Sequence, residues 1–182
     1  MAVTSIWSIK GWIGKVINYA ENPDKTKENN EGQIVEDQSR SAQGLEDVIT
    51  YAVNAEKTRL RQSKSMEMEV VGESEELIAV KKRFGKEDGI VAFHGYQSFA
   101  PGECNPAMAH EIGKKLAEEL WGSQYQVLIA THLDKANHLH NHFVVNSVSF
   151  LDGKRYHRTN QDYRDMRMVS DRLCKEYQLS VV

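Results

Sequence analysis

The chain has 182 residues, 40% of hydrophobic type and 27% charged, which suits one globular domain with a core of ordinary size. Its apolar runs fall short of the ~20 residues a membrane-spanning helix needs, and Met1-Ala2-Val3-Thr4 lacks the basic region of a signal peptide, so a cytoplasmic protein without membrane insertion is expected. The net charge of -3 argues against a uniformly basic nucleic-acid binder and leaves any phosphate contact to local clusters such as Lys81-Lys82-Arg83 or Arg155 to Arg172.

Residues 3–9 alternate apolar and polar positions as a half-buried strand does, and residues 11–20 switch to helical spacing through Trp12, Val16 and Tyr19. Asn22-Pro23-Asp24 stops that helix. The following stretch, 25–44, is polar and acidic, and reads as a surface insertion within the single domain 1–182. Residues 16–26 recur in altered form at 48–58, so that Tyr19 has a counterpart in Tyr51. A second strand is expected over 66–71, a helix bearing the lysine cluster over 75–84, and a strand over 90–99 with Ala92, His94, Tyr96 and Ser98 on one face.

Asn105-Pro106 has the form of a helix cap followed by a first-turn proline. Ala109, Ile112, Leu116, Leu120 and Trp121 supply that helix's apolar face, and Gly122 ends it. Residues 125–131 and 139–150 read as two strands of a hairpin joined by Asp134-Lys135-Ala136-Asn137. A last helix is expected over 161–177 with Met166, Val169, Leu173 and Tyr177 as its buried stripe. The order predicts an α+β fold, an antiparallel sheet with helices covering one face. Cys104 and Cys174 lack the spacing of a zinc site or a disulfide framework and are read as structural or incidental.

Four of the seven histidines fall within residues 132–142. Alternate residues of a strand share a face at ~6.5 to 7 Å spacing, so His140 and His142 can meet one ion, and His138 joins them if the strand starts early enough. His132, ending the neighbouring strand, offers a third nitrogen. Three protein ligands with open positions describe a catalytic ion better than a structural one. The ligand types admit Mn, Zn, Fe, Ni or Co, and Mn or Mg is the preferred expectation. Asn146 shares the histidine face and is a candidate for hydrogen bonding to phosphate.

Tyr19, Asn22-Pro23-Asp24-Lys25-Thr26, His132-x-Asp134 and His140-x-His142-x-x-x-Asn146 together resemble the Mob-type (MobA-like) tyrosine relaxases of the HUH endonuclease superfamily, and most of all those of Gram-positive conjugative transposons. The resemblance implies a five-stranded antiparallel sheet of ferredoxin-like arrangement with the histidines on its central strands. It implies a metal-dependent nuclease that nicks one DNA strand at an origin of transfer, through a tyrosine that becomes linked to the 5′-phosphate and later rejoins the strand. Tyr19 is the preferred nucleophile and Tyr51 the alternative; His132, His140 and His142 are the expected metal ligands, and Lys81, Lys82, Arg83 and Asn146 the expected DNA contacts. Partners would be single-stranded DNA or a hairpin at the origin, with bases stacking on aromatics such as Trp12 or Tyr96, and other relaxosome and coupling proteins. Three other readings share parts of this pattern: a rolling-circle replication initiator, a non-catalytic metal-stabilised single-stranded DNA-binding module, and a metallohydrolase that uses water.

Overall fold

The computed structural model describes residues 2–10, 49–51, 77–132 and 139–181. The expected helix at 11–20, the insertion at 25–44, most of the second repeat copy, the strand at 66–71, and Asp134 and His138 lie outside the described residues.

Strand β1 (Val3–Lys10) and the short β2 (Ile49–Tyr51) precede helix α1 (77–83) and strand β3 (Ile90–Ser98). Helix α2 (Pro106–Ala117) runs into a π-helical turn, Glu118–Gly122, and is followed by β4 (Val127–His132), β5 (His140–Asn146) and helix α3 (Asn160–Glu176). All the strand pairings are antiparallel, in the order β1-β3-β5-β4-β2. The α+β expectation is borne out. β4 and β5 pair as the expected hairpin, with Val127 opposite Val145 and His132 opposite His140.

Period-two alternation divides each strand between two faces. Ile6, Phe93, Val127, Ile129, Phe143 and Val145 turn towards α2 and α3, where Ile112, Leu116, Trp121, Met166 and Leu173 complete the main core. α2 starts as its sequence requires: the Asn105 side chain accepts from Met108 N at 2.8 Å and Pro106 occupies the first turn, where its missing N–H costs nothing. α3 is fixed by a full capping box between Thr159 and Asp162.

The expectation of helices on one face only is corrected. A second, smaller core joins Leu77 and Ile78 of α1 to Ala92, Leu128, Ala130 and Val144 on the opposite face. α1 therefore shields the end of that face remote from His132 and His140. Its far end abuts the turn after β5, where Gly153 has φ +69° and a Cβ there would lie 2.4 Å from Phe84 Cδ1. The expected strand at 139–150 is also corrected, because β5 ends at Asn146 and is followed by an isolated bridge, Val148 to Arg155, and separate backbone hydrogen bonds such as Phe150 N to Gln124 O. Both cysteines are free thiols, and burial pushes each up to about 11. Among the described residues no helix is long and apolar enough to cross a membrane.

A candidate metal centre on the sheet

The face opposite α2 and α3 carries the histidines. His132 ends β4 and His140 begins β5 directly across from it, while His142 is two residues further along β5, opposite Ala130. The alanine leaves room for a ring. Imidazole centroids lie 4.9 Å apart for His132 and His140, 4.2 Å for His132 and His142, and 4.9 Å for His140 and His142. One ligand nitrogen from each falls within 4.8 Å of the others. His132 and His142 are buried and His140 is half-buried, so the cluster sits at the lip of the sheet with one side reachable from solvent.

This donor set fits a divalent cation. Imidazoles are neutral ligands for Mn, Zn, Ni or Co, and three converging nitrogens leave coordination positions for substrate oxygens. Of the histidines singled out in the sequence, His132, His140 and His142 come together, and His138 lies outside the described residues.

A fourth histidine, His94 on β3, was read from the sequence only as one residue of a strand face. Its Nε2 lies 2.8 Å from His142 Nδ1. The two are diagonal neighbours, since His94 is opposite Val144 and His142 is opposite Tyr96. Burial, followed by the positive charge available to His132, lowers His94 to about 4, which keeps its ring neutral at physiological pH. Trp7 on β1 sits opposite His94 with ring centroids 4.7 Å apart, and is 40% exposed. Half-buried Tyr96 meets Trp7 edge-on at 6.1 Å.

Beneath the histidines, on the helical side of the sheet, Asn141 holds β5. Its amide donates to Ala109 O at 2.7 Å and Gln97 Oε1 at 3.1 Å, and its oxygen accepts from Thr131 Oγ1 at 2.7 Å. His110 Nδ1 reaches the same threonine at 2.9 Å, and Gln97 donates to Ser170 Oγ at 2.8 Å. A buried, satisfied network of this kind fixes strand position strongly, because any displacement leaves several polar groups unpaired at once. Its members are spread over five elements, so only their cross-strand pairing identifies them.

Two expected DNA contacts have other partners. Asn146 is fully buried at the α1 end of the sheet, donating to Leu77 O at 3.0 Å and Gln126 Oε1 at 2.9 Å. Both bonds of the amide are thus committed within the protein, one holding α1 on the sheet and the other the residue that leads into β4. Lys81 is 3% exposed and donates to Val91 O; burial, then the charge of Arg155, lowers it to about 8. Lys82 and Arg83 are exposed, with the Arg83 guanidinium 5.3 Å from the Phe84 ring centroid. Three of the arginines at 155–172 have partners within the protein: Arg155 pairs with Asp88, Arg158 donates to Ile6 O, and Arg172 bridges Glu119 and Glu176.

Of the two tyrosines, Tyr19 lies outside the described residues, as does Trp12. The Tyr51 backbone pairs with Leu128, four residues along β4 from His132, or about 13 Å at strand rise.

The chain resembles several known proteins. "Protein rlx" of Staphylococcus aureus is 37% identical over 131 residues, 71% of this chain and 41% of the relative. A group II intron-interrupted relaxase, LtrB, from Lactococcus lactis subsp. cremoris is 38% identical over 72 residues, 39% of this chain and 13% of that protein. The chain thus spans about two fifths of the length of the first of these curated relatives and about an eighth of the second. A solved structure from work on the "Molecular Basis of Vancomycin Resistance Transfer in Staphylococcus aureus" shares the fold, with a TM-score of 0.58 at 13% identity, over 100% of this chain and 96% of its own. The family model for the MobA/VirD2-like relaxase nuclease domain matches residues 19–179, and the chain belongs to that family.

Proposed function

We propose that this chain is the catalytic domain of a conjugative DNA relaxase, which nicks one strand at an origin of transfer and later reseals it. The observation that carries the reading is the convergence of His132, His140 and His142 within 4.8 Å on an accessible sheet face of a relaxase-family chain. These three residues would hold a divalent cation, for which Mn or Mg is our preferred choice. When bound, such an ion polarises the scissile phosphate and offsets the charge that develops in the transition state.

Tyr19 is the nucleophile in this proposal. A phenol with an ordinary pKa of ~10 must lose its proton to attack, and it does so as the phosphate is approached. The phenolic oxygen forms a bond to phosphorus and the bond to the 3′ oxygen breaks; one fragment leaves with a 3′-hydroxyl, its oxygen gaining a proton in place of the one the phenol gave up, while the other fragment stays on the protein through its 5′-phosphate. Rejoining is the same exchange in reverse. The distance of the Tyr51 backbone from His132 along β4 supports Tyr19 over Tyr51. Substrate would be single-stranded DNA or a hairpin with a single-stranded tail, met by exposed cations such as Lys82 and Arg83. Other relaxosome and coupling proteins would be its partners.

The test is incubation with a labelled origin oligonucleotide and resolution of adducts under denaturing conditions. The wild-type protein should form an adduct that EDTA prevents, and Tyr19→Phe should form none. Adduct formation by Tyr19→Phe together with its loss in Tyr51→Phe would reassign the nucleophile, while cleavage with no adduct in any variant would point to a water-using hydrolase.

A further inference from the structure

We infer that His94 is a positioning residue for the metal centre, accepting a hydrogen bond from His142 and so selecting which nitrogen of His142 faces the cation. The inference rests on the metal-site reading above and adds to it a residue outside the three ligands.

The argument begins with the imidazole ring, which has two nitrogens and, when neutral, one proton. A histidine that ligates through one nitrogen carries its proton on the other, and that N–H needs an acceptor. His142 is 5% exposed, so water is a poor candidate. His94 Nε2 lies 2.8 Å from His142 Nδ1, in a pocket where His94 itself is 6% exposed. With His94 Nε2 as acceptor, the proton of His142 rests on Nδ1 and Nε2 is the nitrogen presented to the ion. His94 must then carry its own proton on Nδ1. The same contact stops the His142 ring from rotating, which would otherwise be paid for in entropy when the ion binds.

Two surroundings hold His94 itself in place. Trp7 lies over its ring at a centroid distance of 4.7 Å and an interplanar angle of 57°, and Gly95, the next residue, lets β1 approach closely, since a Cβ there would lie 3.0 Å from Ser5 O. The strand β5 is pinned from the opposite side through Asn141. His142 is therefore fixed by its backbone from below and by its ring from the side, whereas His140 is half-buried at the strand end.

Metal-site partners of this kind change affinity by ~10 to 100-fold when removed. The experiment measures Mn(II) affinity of the whole chain by isothermal titration calorimetry for the wild type, His94→Leu and His94→Gln, with circular dichroism and thermal unfolding in EDTA as the check on the metal-free fold. Gln keeps an acceptor oxygen and Leu does not. The expected result is a loss of tenfold or more in His94→Leu and recovery of most of that loss in His94→Gln, whatever the two variants do to metal-free stability. Equal affinity in wild type and His94→Leu overturns the role of His94 while leaving the three-histidine site standing. Equal weakening in both variants overturns it too, since packing alone would then explain the effect. Absence of Mn(II) binding by the wild type removes both this inference and the metal site on which it rests.

Discussion

Gly113 of α2 sets two opposing effects against each other. Replacing a mid-helix glycine by alanine normally stabilises by ~1 kcal/mol, because glycine loses more backbone freedom on folding. Here the new Cβ would lie 2.4 Å from Asn141 Nδ2 and 2.8 Å from its Cγ. Carbon contacts are favourable only from ~3.5 Å, so the overlap is about 1 Å. Asn141 cannot move aside cheaply: its amide is tied to Gln97, Ala109 and Thr131, and each such bond is worth ~1 kcal/mol, with ~1 to 3 for a buried group left unpaired. Overpacking at ~1 to 3 kcal/mol plus partial loss of these bonds outweighs the helix gain, and Gly113→Ala should lose about 2 kcal/mol net. For a chain of this size that lowers Tm by ~4 to 8 °C, readable by circular dichroism in EDTA. Because Asn141 lies between His140 and His142, Mn(II) affinity should fall as well. A rise in Tm in Gly113→Ala would show that propensity wins and that the Asn141 amide is not fixed as the network requires.

Lys81 makes stability depend on pH. Its folded value of about 8 lies below the ordinary 10.5, so between those limits the unfolded chain binds more protons and stability should climb with rising pH. Subtracting the urea midpoints of Lys81→Met from those of the wild type at pH 7, 8.5 and 9.5 isolates that climb; a flat difference would refute it. The same variant should bind single-stranded DNA as the wild type does, whereas charge reversal at exposed Lys82 and Arg83 should weaken binding and flatten its salt dependence. Thr159→Ala removes an oxygen that accepts from Gln161 N and Asp162 N, and should cost ~0.5 to 2 kcal/mol of unfolding free energy. An unchanged denaturation midpoint would mean that α3 does not need this cap.

The histidine hairpin was readable because its chemistry and its geometry share one period. His140 and His142 alternate as strand residues, and the antiparallel pairing of β4 with β5 sets His132 across the ladder from His140. The cap of α2 was equally local, written in Asn105-Pro106. The burial of Lys81 was not legible because a charged triplet suggests a solvated patch, although Leu77 and Lys81 are four apart and so share a helix face. The partners of Asn146 were not legible because its face is that of the histidines while its level is that of α1, and level depends on cross-strand register. For the same reason His94 went unassigned. Its face was legible, but no feature of β3 alone reveals that β5 is its neighbour.

The two sides of β5 bear unlike duties on successive residues, with His140 and His142 upward and Asn141 downward. A slip of one position would bury two imidazoles in the apolar layer and lift the amide out of its socket, so an intermediate alignment gains from neither side. The hairpin is accordingly not a portable cassette. Transplanting the histidines into a foreign sheet would require carrying along the glycine-bearing helix underneath, without which the borrowed strand has nothing to lock its alignment.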